Sequence, residues 1–219
     1  MTKIKALPEP TLRRIPKYIH LLMQMKKQGV VHVSSATIAD ELGLDSIQVR
    51  KDLSLAGMVG KPKVGFDMTE LVEGLMNILN WGNLKEAFLA GAGNLGEAIL
   101  GYKKFNDYGL NIVAAFDNDE SKIGKKIYGI EILPIEKIAN MIKRMHIKIG
   151  VITAPPEHAQ EVANLMIEGG IWAIWNFAPV HLKIPEDIIL ENVQLSHSLS
   201  ALTYKLAEKI KTNDYKIPN

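Results

Sequence analysis

The 219-residue chain contains no cysteine. Disulfides, thiolate metal sites and thiol switches are excluded with it, so any response to redox state has to come through a bound ligand. Long apolar runs are also missing: no stretch approaches the roughly 18 uninterrupted apolar residues of a membrane span. The first residues carry no signal-peptide core, and a cytoplasmic protein with no membrane partner is expected. Common catalytic patterns are absent too. There is no Tyr-x-x-x-Lys proton relay, no His-Glu-x-x-His zinc site and no cysteine nucleophile, and none of the six histidines falls into a recognisable acid/base constellation. His158, which follows a Thr-Ala-Pro-Pro loop, is the strongest enzymatic suspect. No catalytic residue or metal ligand is assigned.

An apolar fraction of 47% is enough for real cores, and the length exceeds that of one compact domain, so two modules are expected. Charge divides between them. Residues 1–66 hold 11 Lys/Arg against 5 Asp/Glu, a net +6, whereas the rest holds 15 against 19, a net −4. The basic part suits a phosphate backbone, and the acidic part would be repelled by the same duplex.

In the N-terminal module the spacing predicts a first helix from about Leu12 to Lys27, with Ile15, Ile19, Leu22 and Met23 on one face and Gly29 as the stop. Pro16 either begins the regular helix or kinks it. Ser35 is the expected N-cap of a second helix, Ala36 to Leu42, ended by Gly43; Asp45 caps a third beginning at Ser46, with Gln48 completing a capping box. This is helix-turn-helix spacing. Val49, Leu53 and Ala56 face the core, and Gln48, Arg50, Lys51 and Ser54 lie on exposed flanks, where Arg and Gln can read base edges and Lys and Ser can hold phosphates. MVGKPKVGF then forms a hairpin wing with Lys61 and Lys63 at its tip, and a helix from Met68 to Asn80 closes a winged-helix module near residue 82.

In the second module Lys85 to Ala90 reads as a buried strand running into Gly91-Ala-Gly-Asn-Leu-Gly96 and an apolar helix. The first glycine permits the tight turn, the second lets a pyrophosphate approach the backbone, and the third lets helix and strand pack closely. A second strand, Asn111 to Phe116, ends at Asp117, which could accept two hydroxyl hydrogen bonds from a ribose and would repel a 2′-phosphate; NAD(H) is therefore expected over NADP(H). A pocket altered to take coenzyme A or a nucleotide sugar is the alternative. Strands near Ile130 to Leu133, Lys148 to Thr153 and Trp172 to Phe177 alternate with helices, and the loops Thr153-Ala-Pro-Pro and Asn176-Phe-Ala-Pro should flank the nicotinamide side. After a short strand around Ile188 to Val193, Leu199, Leu202, Leu206 and Ile210 stripe a terminal helix that packs on its own sheet or docks on a partner subunit; a dyad would match a palindromic DNA site.

Three functions remain open at this point: a ligand-controlled DNA-binding regulator, an NAD-dependent oxidoreductase with an accessory helical domain, and a nucleotide-binding protein whose N-terminal helices recruit protein. QVRKDLS (Gln48 to Ser54), GKPKVGF, GAGNLG, AFDNDESKIG (Ala115 to Gly124), TAPP and NFAPV (Asn176 to Val180) together resemble the Rex family of redox-sensing transcriptional repressors over nearly the whole chain. The resemblance implies an α/β protein with a winged helix-turn-helix domain at 1–82, a Rossmann-type NAD(H)-binding domain at 83–194, and a domain-swapped dimerisation helix and tail at 195–219. It implies a homodimer that binds double-stranded inverted-repeat operator DNA and is released when NADH replaces NAD⁺. The cofactor-binding set is then Gly91, Ala92, Gly93, Asn94, Leu95, Gly96, Asp117, Lys122, Thr153, Ala154, Pro155, Asn176 and Tyr102, and the DNA-binding set is Ser46, Gln48, Arg50, Lys51, Ser54, Lys61 and Lys63. Two positions depart from the family. An Arg in the first helix and an Asp before the C-terminal helix, associated with a cofactor-sensitive polar contact, are matched by His20 and Gln194; Tyr102 matches the tyrosine of that contact, so a Tyr102–His20–Gln194 arrangement is expected to replace the ion pair.

Overall fold

The structure is a computed structural model that describes residues 7–212; the tail of the C-terminal segment, 213–219, lies outside the described residues. The chain divides into two compact units. One runs to Leu84 and also takes in Asp107–Gly109; the other comprises Lys85–Asn106 and the chain from Leu110 onward.

The N-terminal unit contains α1 (Glu9–Lys27), β1 (His32–Val33), α2 (Ser35–Leu42), α3 (Ser46–Leu55), β2 (Phe66–Asp67) and α4 (Met68–Ile78). Helix α1 begins a turn earlier than the pattern suggests and continues through Pro16. An internal proline costs a helix roughly 3 kcal/mol, but here Thr11 and Arg14, both upstream of it, bond to Asp52 of α3 and hold the first turns in place. The buried face carries Tyr18, fully enclosed, where the pattern placed Met23, which is 40% exposed. Ser34, not Ser35, caps α2 by accepting the Thr37 N–H at 3.0 Å; Ser35 is the first helical residue. Gly43, in the left-handed conformation, ends α2, and Asp45 caps α3 by accepting the N–H groups of Ile47 (2.7 Å) and Gln48 (3.1 Å). Strands β1 and β2 pair antiparallel, and a tight turn closed by the Lys61–Gly65 bridge projects beyond them as the wing. A single aliphatic core with Tyr18 at its centre joins α1 to α4.

The second unit is built on β3 (Lys85–Ala90), α5 (Asn94–Gly101), β4 (Leu110–Asp117), β5 (Lys126–Ile127), β6 (Ile130–Pro134), α6 (Ile138–Met145), β7 (Ile149–Ile152), α7 (Pro156–Gly169), β8 (Ala173–Asn176), β9 (Ile189–Asn192) and α8 (Leu195–Thr212). The strand order is β5-β6-β4-β3-β7-β8-β9; β5 is an antiparallel edge and the other neighbours pair in parallel. This is the doubly wound order of a Rossmann fold, with the switch point between the adjacent strands β3 and β7. Period-2 alternation along β3 divides its residues between two cores: Phe88 and Ala90 join the core that holds α6 and α7, while Ala87 and Leu89 join that of α5. The β6 strand was expected, near Ile130 to Leu133, but its antiparallel partner β5 and a 3-10 helix at Lys103–Tyr108 were not; both are too short to show a period.

Helix α8 does not pack on its own sheet. Leu199, Leu202, Leu206 and Ile210 are 54% to 64% exposed, so among the described residues the leucine stripe has no cover.

Candidate functional site

Strand β3 ends at the switch point, where the chain leaving β3 and the chain leaving β7 turn to opposite faces of the sheet and open a crevice above the strand ends. The glycine loop occupies it. Gly91 adopts φ +102, and a Cβ there would lie 2.5 Å from the Ala154 nitrogen; a Cβ on Gly96 would run into the Gly91 carbonyl. These two glycines are demanded by packing. At Gly93, by contrast, a Cβ would meet nothing within 4 Å, because the residue faces open space at the N-terminus of α5. Thr153 braces the turn: its hydroxyl is 2.7 Å from the Gly91 carbonyl and 3.2 Å from that of Ala90.

A cavity of about 610 Å³ opens beside this loop. Of the expected cofactor set, Gly91, Gly93, Leu95, Asp117, Lys122, Thr153, Ala154 and Pro155 line it. Ala92 and Gly96 are buried in the turn and Asn94 starts α5. Tyr102 lies apart from the lining: it caps α5, is 45% exposed and packs edge-on against Phe105 at 4.8 Å. Asn176 is 1% exposed and stands behind the wall. Its amide donates to the carbonyls of Ala178 (3.1 Å) and Val180 (3.3 Å) and to Asn192 (2.9 Å), and its oxygen accepts from the Ala178 N–H, so it shapes the loop whose Phe177, Ala178 and Pro179 do reach the cavity.

Asp117 is less available than an isolated strand-end carboxylate. It accepts the Ala92 N–H (2.8 Å), the Asp119 N–H (2.9 Å) and the Lys122 ammonium (3.1 Å). Three of about four acceptor positions are filled, leaving room for one ligand hydroxyl and not the expected two. Lys122 also lies 3.7 Å from Asp119, whose carboxyl is held below the ordinary range by hydrogen bonds from Ser121 and then by the Lys122 charge. Several lining residues carried no sequence signal: Phe116, Asn118, Asp119, Ile135, Glu136, Glu161, Val162 and Leu165; His158, singled out from sequence as an enzymatic suspect, also lines the wall. Only the i, i+3/i+4 spacing of His158, Glu161, Val162 and Leu165 on α7 could have shown that they share a face.

In the N-terminal unit Arg50, Lys51 and Ser54 are exposed on α3, Lys61 and Lys63 are exposed on the wing, and Ser46 is half-buried. Lys63 sits in the left-handed region, φ 62, at the wing tip. Gln48 is half-buried and does not complete the expected capping box. Its amide nitrogen instead donates to Asp52 at 2.9 Å. Asp52 is fully buried and also accepts Thr11 Oγ1 (2.9 Å), Arg14 Nε (2.6 Å), Arg14 Nη2 (2.8 Å) and Tyr18 Oη (2.7 Å). Burial alone would raise its pKa; the hydrogen bonds from Arg14, Tyr18 and Thr11 outweigh that and hold it at about 2. Burial, and then the hydrogen bond to Asp52, push the Tyr18 hydroxyl above its usual range.

His20 is exposed on α1. Its Nε2 is 3.0 Å from the Tyr108 hydroxyl, and Trp81 stacks against Tyr108 at 4.7 Å, so the three rings form one cluster. Tyr108 closes a 3-10 helix that the sequence pattern did not reveal.

A winged helix-turn-helix unit followed by a Rossmann-type unit with a glycine-lined cavity is the build of a ligand-responsive transcription regulator. A family model described as "CoA binding domain" matches residues 83–180, and one described as "Putative DNA-binding protein N-terminus" matches residues 6–54. The redox-sensing transcriptional repressor Rex of Pelotomaculum thermopropionicum is 44% identical over 207 residues, 94% of this chain and 97% of its own. Among solved structures, RSP in complex with β-NAD⁺ and operator DNA aligns with a TM-score of 0.89 at 35% identity, covering 97% of this chain and 98% of that one. RSP in complex with β-NADH aligns with a TM-score of 0.86 at 35% identity, covering 97% and 100%. The chain belongs to the Rex family of redox-sensing transcriptional repressors. Among the described residues no helix is long and apolar enough to cross a membrane, and no group of three or more His, Asp or Glu could hold a metal ion.

Proposed function

We propose that this protein represses transcription by binding operator DNA through its N-terminal unit, and that it leaves the DNA when NADH replaces NAD⁺ in the cavity of its second unit. The observation that carries the reading is the contrast among the three glycines. Two are packed against backbone, and the third leaves open space at a helix N-terminus, where N–H groups can meet a pyrophosphate. The residues fit the cofactor.

In this reading the amides around Gly93 and Leu95 bind the pyrophosphate, and the one free acceptor position of Asp117 takes an adenosine ribose hydroxyl. Lys122 donates to the same Asp117 oxygen that accepts the Ala92 N–H, and so holds the carboxylate toward the glycine loop. Ala154, Pro155, Val162, Leu165 and Phe177 to Pro179 form the wall on the β7–β8 side, where the nicotinamide is held. The bound nicotinamide supplies a cation when oxidised and a neutral ring when reduced. An apolar wall favours the neutral form, since burying an unpaired charge is costly, and Glu161 is the lining carboxylate able to partner the cation. The cofactor is sensed and not turned over. The exposed stripe of α8 docks on a second copy of the chain, and the resulting dyad presents two α3 helices to two half-sites.

The test is operator binding by the full-length protein at a fixed total of NAD⁺ plus NADH and varied ratio. Affinity should fall as the NADH fraction rises; a flat response removes the sensor reading.

A further inference from the structure

Gln48 stands on the first turn of α3, and its amide is oriented by a buried neighbour. Asp52 lies one turn further along the same helix, is fully enclosed, and collects donors from Thr11, Arg14 and Tyr18 as well as from Gln48 Nε2. A carboxylate only accepts. If the Gln48 amide rotated by half a turn, its oxygen would face the Asp52 oxygen across 2.9 Å, two acceptors with no proton between them. The amide therefore has one allowed orientation. One of its two N–H groups is committed to Asp52, and what remains is one donor and the carbonyl oxygen.

We infer that Gln48 is an adenine reader whose selectivity is set by Asp52 as a positioning residue; the inference rests on the proposed DNA-binding role of α3. In the major groove adenine offers an acceptor at N7 and a donor at N6, the complement of one N–H and one C=O. Guanine offers two acceptors, N7 and O6, and a freely rotating glutamine could donate both N–H groups to them. Here that option is closed. One N–H is already used, and the carbonyl oxygen would face O6. Cytosine offers only a donor and thymine only an acceptor beside its methyl group, so neither satisfies both remaining groups. The lock reaches into the core through α1, because Arg14 and Tyr18 hold the Asp52 oxygens that hold Gln48.

The experiment selects duplexes from a randomised pool with the full-length protein and then scans each position of the recovered half-site. For the wild type, one A·T pair per half-site should cost roughly 10- to 100-fold in affinity when changed to G·C, and 7-deazaadenine at that position should cost a similar amount because N7 is gone. Gln48→Ala should flatten this position and leave the profile at the other positions in place. Asp52→Asn offers the amide either a donor or an acceptor, so the preference for adenine over guanine should shrink toward unity. A selection profile for Gln48→Ala identical to that of the wild type overturns the inference while DNA reading by α3 survives. An unchanged adenine preference in a folded Asp52→Asn protein overturns the positioning role. A wild type that recovers no preferred sequence defeats both this inference and the operator-binding reading beneath it.

Discussion

Arg14 on α1 and Asp52 on α3 form a bidentate pair, Nε to Oδ2 at 2.6 Å and Nη2 to Oδ1 at 2.8 Å, with the carboxylate fully enclosed and the guanidinium a quarter exposed. The pair fastens the proposed recognition helix to the helix that begins the domain. The five donors around this carboxylate leave it no unmet demand, which is the condition under which a buried charge is tolerated.

The pair carries a pH signature. Asp52 titrates from an ordinary 3.8 down to about 2 in the folded chain. A lowered acid contributes stability that is present above its unfolded pKa and is lost as pH falls through the folded one; about 2 kcal/mol should disappear between pH ~4 and pH ~2. Carboxyl-carbon NMR should show Asp52 titrating well below the ordinary carboxyl range, and Arg14→Ala should move it upward and cost about 2–4 kcal/mol in denaturant unfolding.

The glycine turn separates folding from binding. Gly93→Ala, at φ −88 with nothing near the added methyl, should keep stability within about 0.5 kcal/mol of wild type while weakening NADH binding on the order of tenfold or more. Gly91→Ala, at φ +102 and against the Ala154 nitrogen, should destabilise by about 2 kcal/mol or more. Thermal unfolding and NADH fluorescence titration on the same two variants check the contrast.

Asn176 should act on the cofactor without touching it. Asn176→Leu removes the bonds to Ala178, Val180 and Asn192 and strands their polar groups, at about 1–3 kcal/mol. NADH affinity should fall as the loop to Val180 loosens, and hydrogen exchange of that loop should rise; protection equal to wild type would deny it this role.

Lys63 joins backbone strain to a tip charge. Its φ of 62 is one that glycine adopts freely, so Lys63→Gly should not lower stability. If the wing touches a phosphate, the slope of log affinity against log salt should flatten by about 0.9, measured by anisotropy on the operator; an unchanged slope takes the wing tip off the backbone.

The stripe on α8 gives the oligomeric prediction. Leu202→Glu with Leu206→Glu places two charges on a face already more than half exposed in the single chain, so the fold should survive and sedimentation should report monomer where the wild type reports dimer. A monomeric wild type would refute the docking of α8 on a second copy.

What was legible in the sequence is what short-range physics decides. Gly43 and Gly91 announce backbone conformations that other residues resist, Asp45 announces a helix start, the apolar run of β3 announces a buried strand, and the period of α4 announces a buried face. The family motifs lay in one continuous order, so the fold and its class could be read from them. Ser34 and Ser35 could not be told apart as caps, because both are competent and only the entry angle of the chain chooses. Gln48 was read as a capping-box partner for the same reason: its local option was visible, and its competitor, Asp52, became available only when α1 packed against α3.

By itself the sequence determined where the chain bends, which residues are apolar on which period, and that a phosphate could approach Gly93. Only the tertiary structure decided the fates of the polar side chains. It enclosed Asp52 with donors from 34 to 41 positions away in sequence, turned Asn176 behind the cavity wall, filled most of Asp117 and paired His20 with Tyr108. The reason is physical. A glycine's conformational freedom belongs to its own residue, whereas a buried polar atom takes whichever partner packing brings within about 3 Å, and that partner is named only when the elements meet.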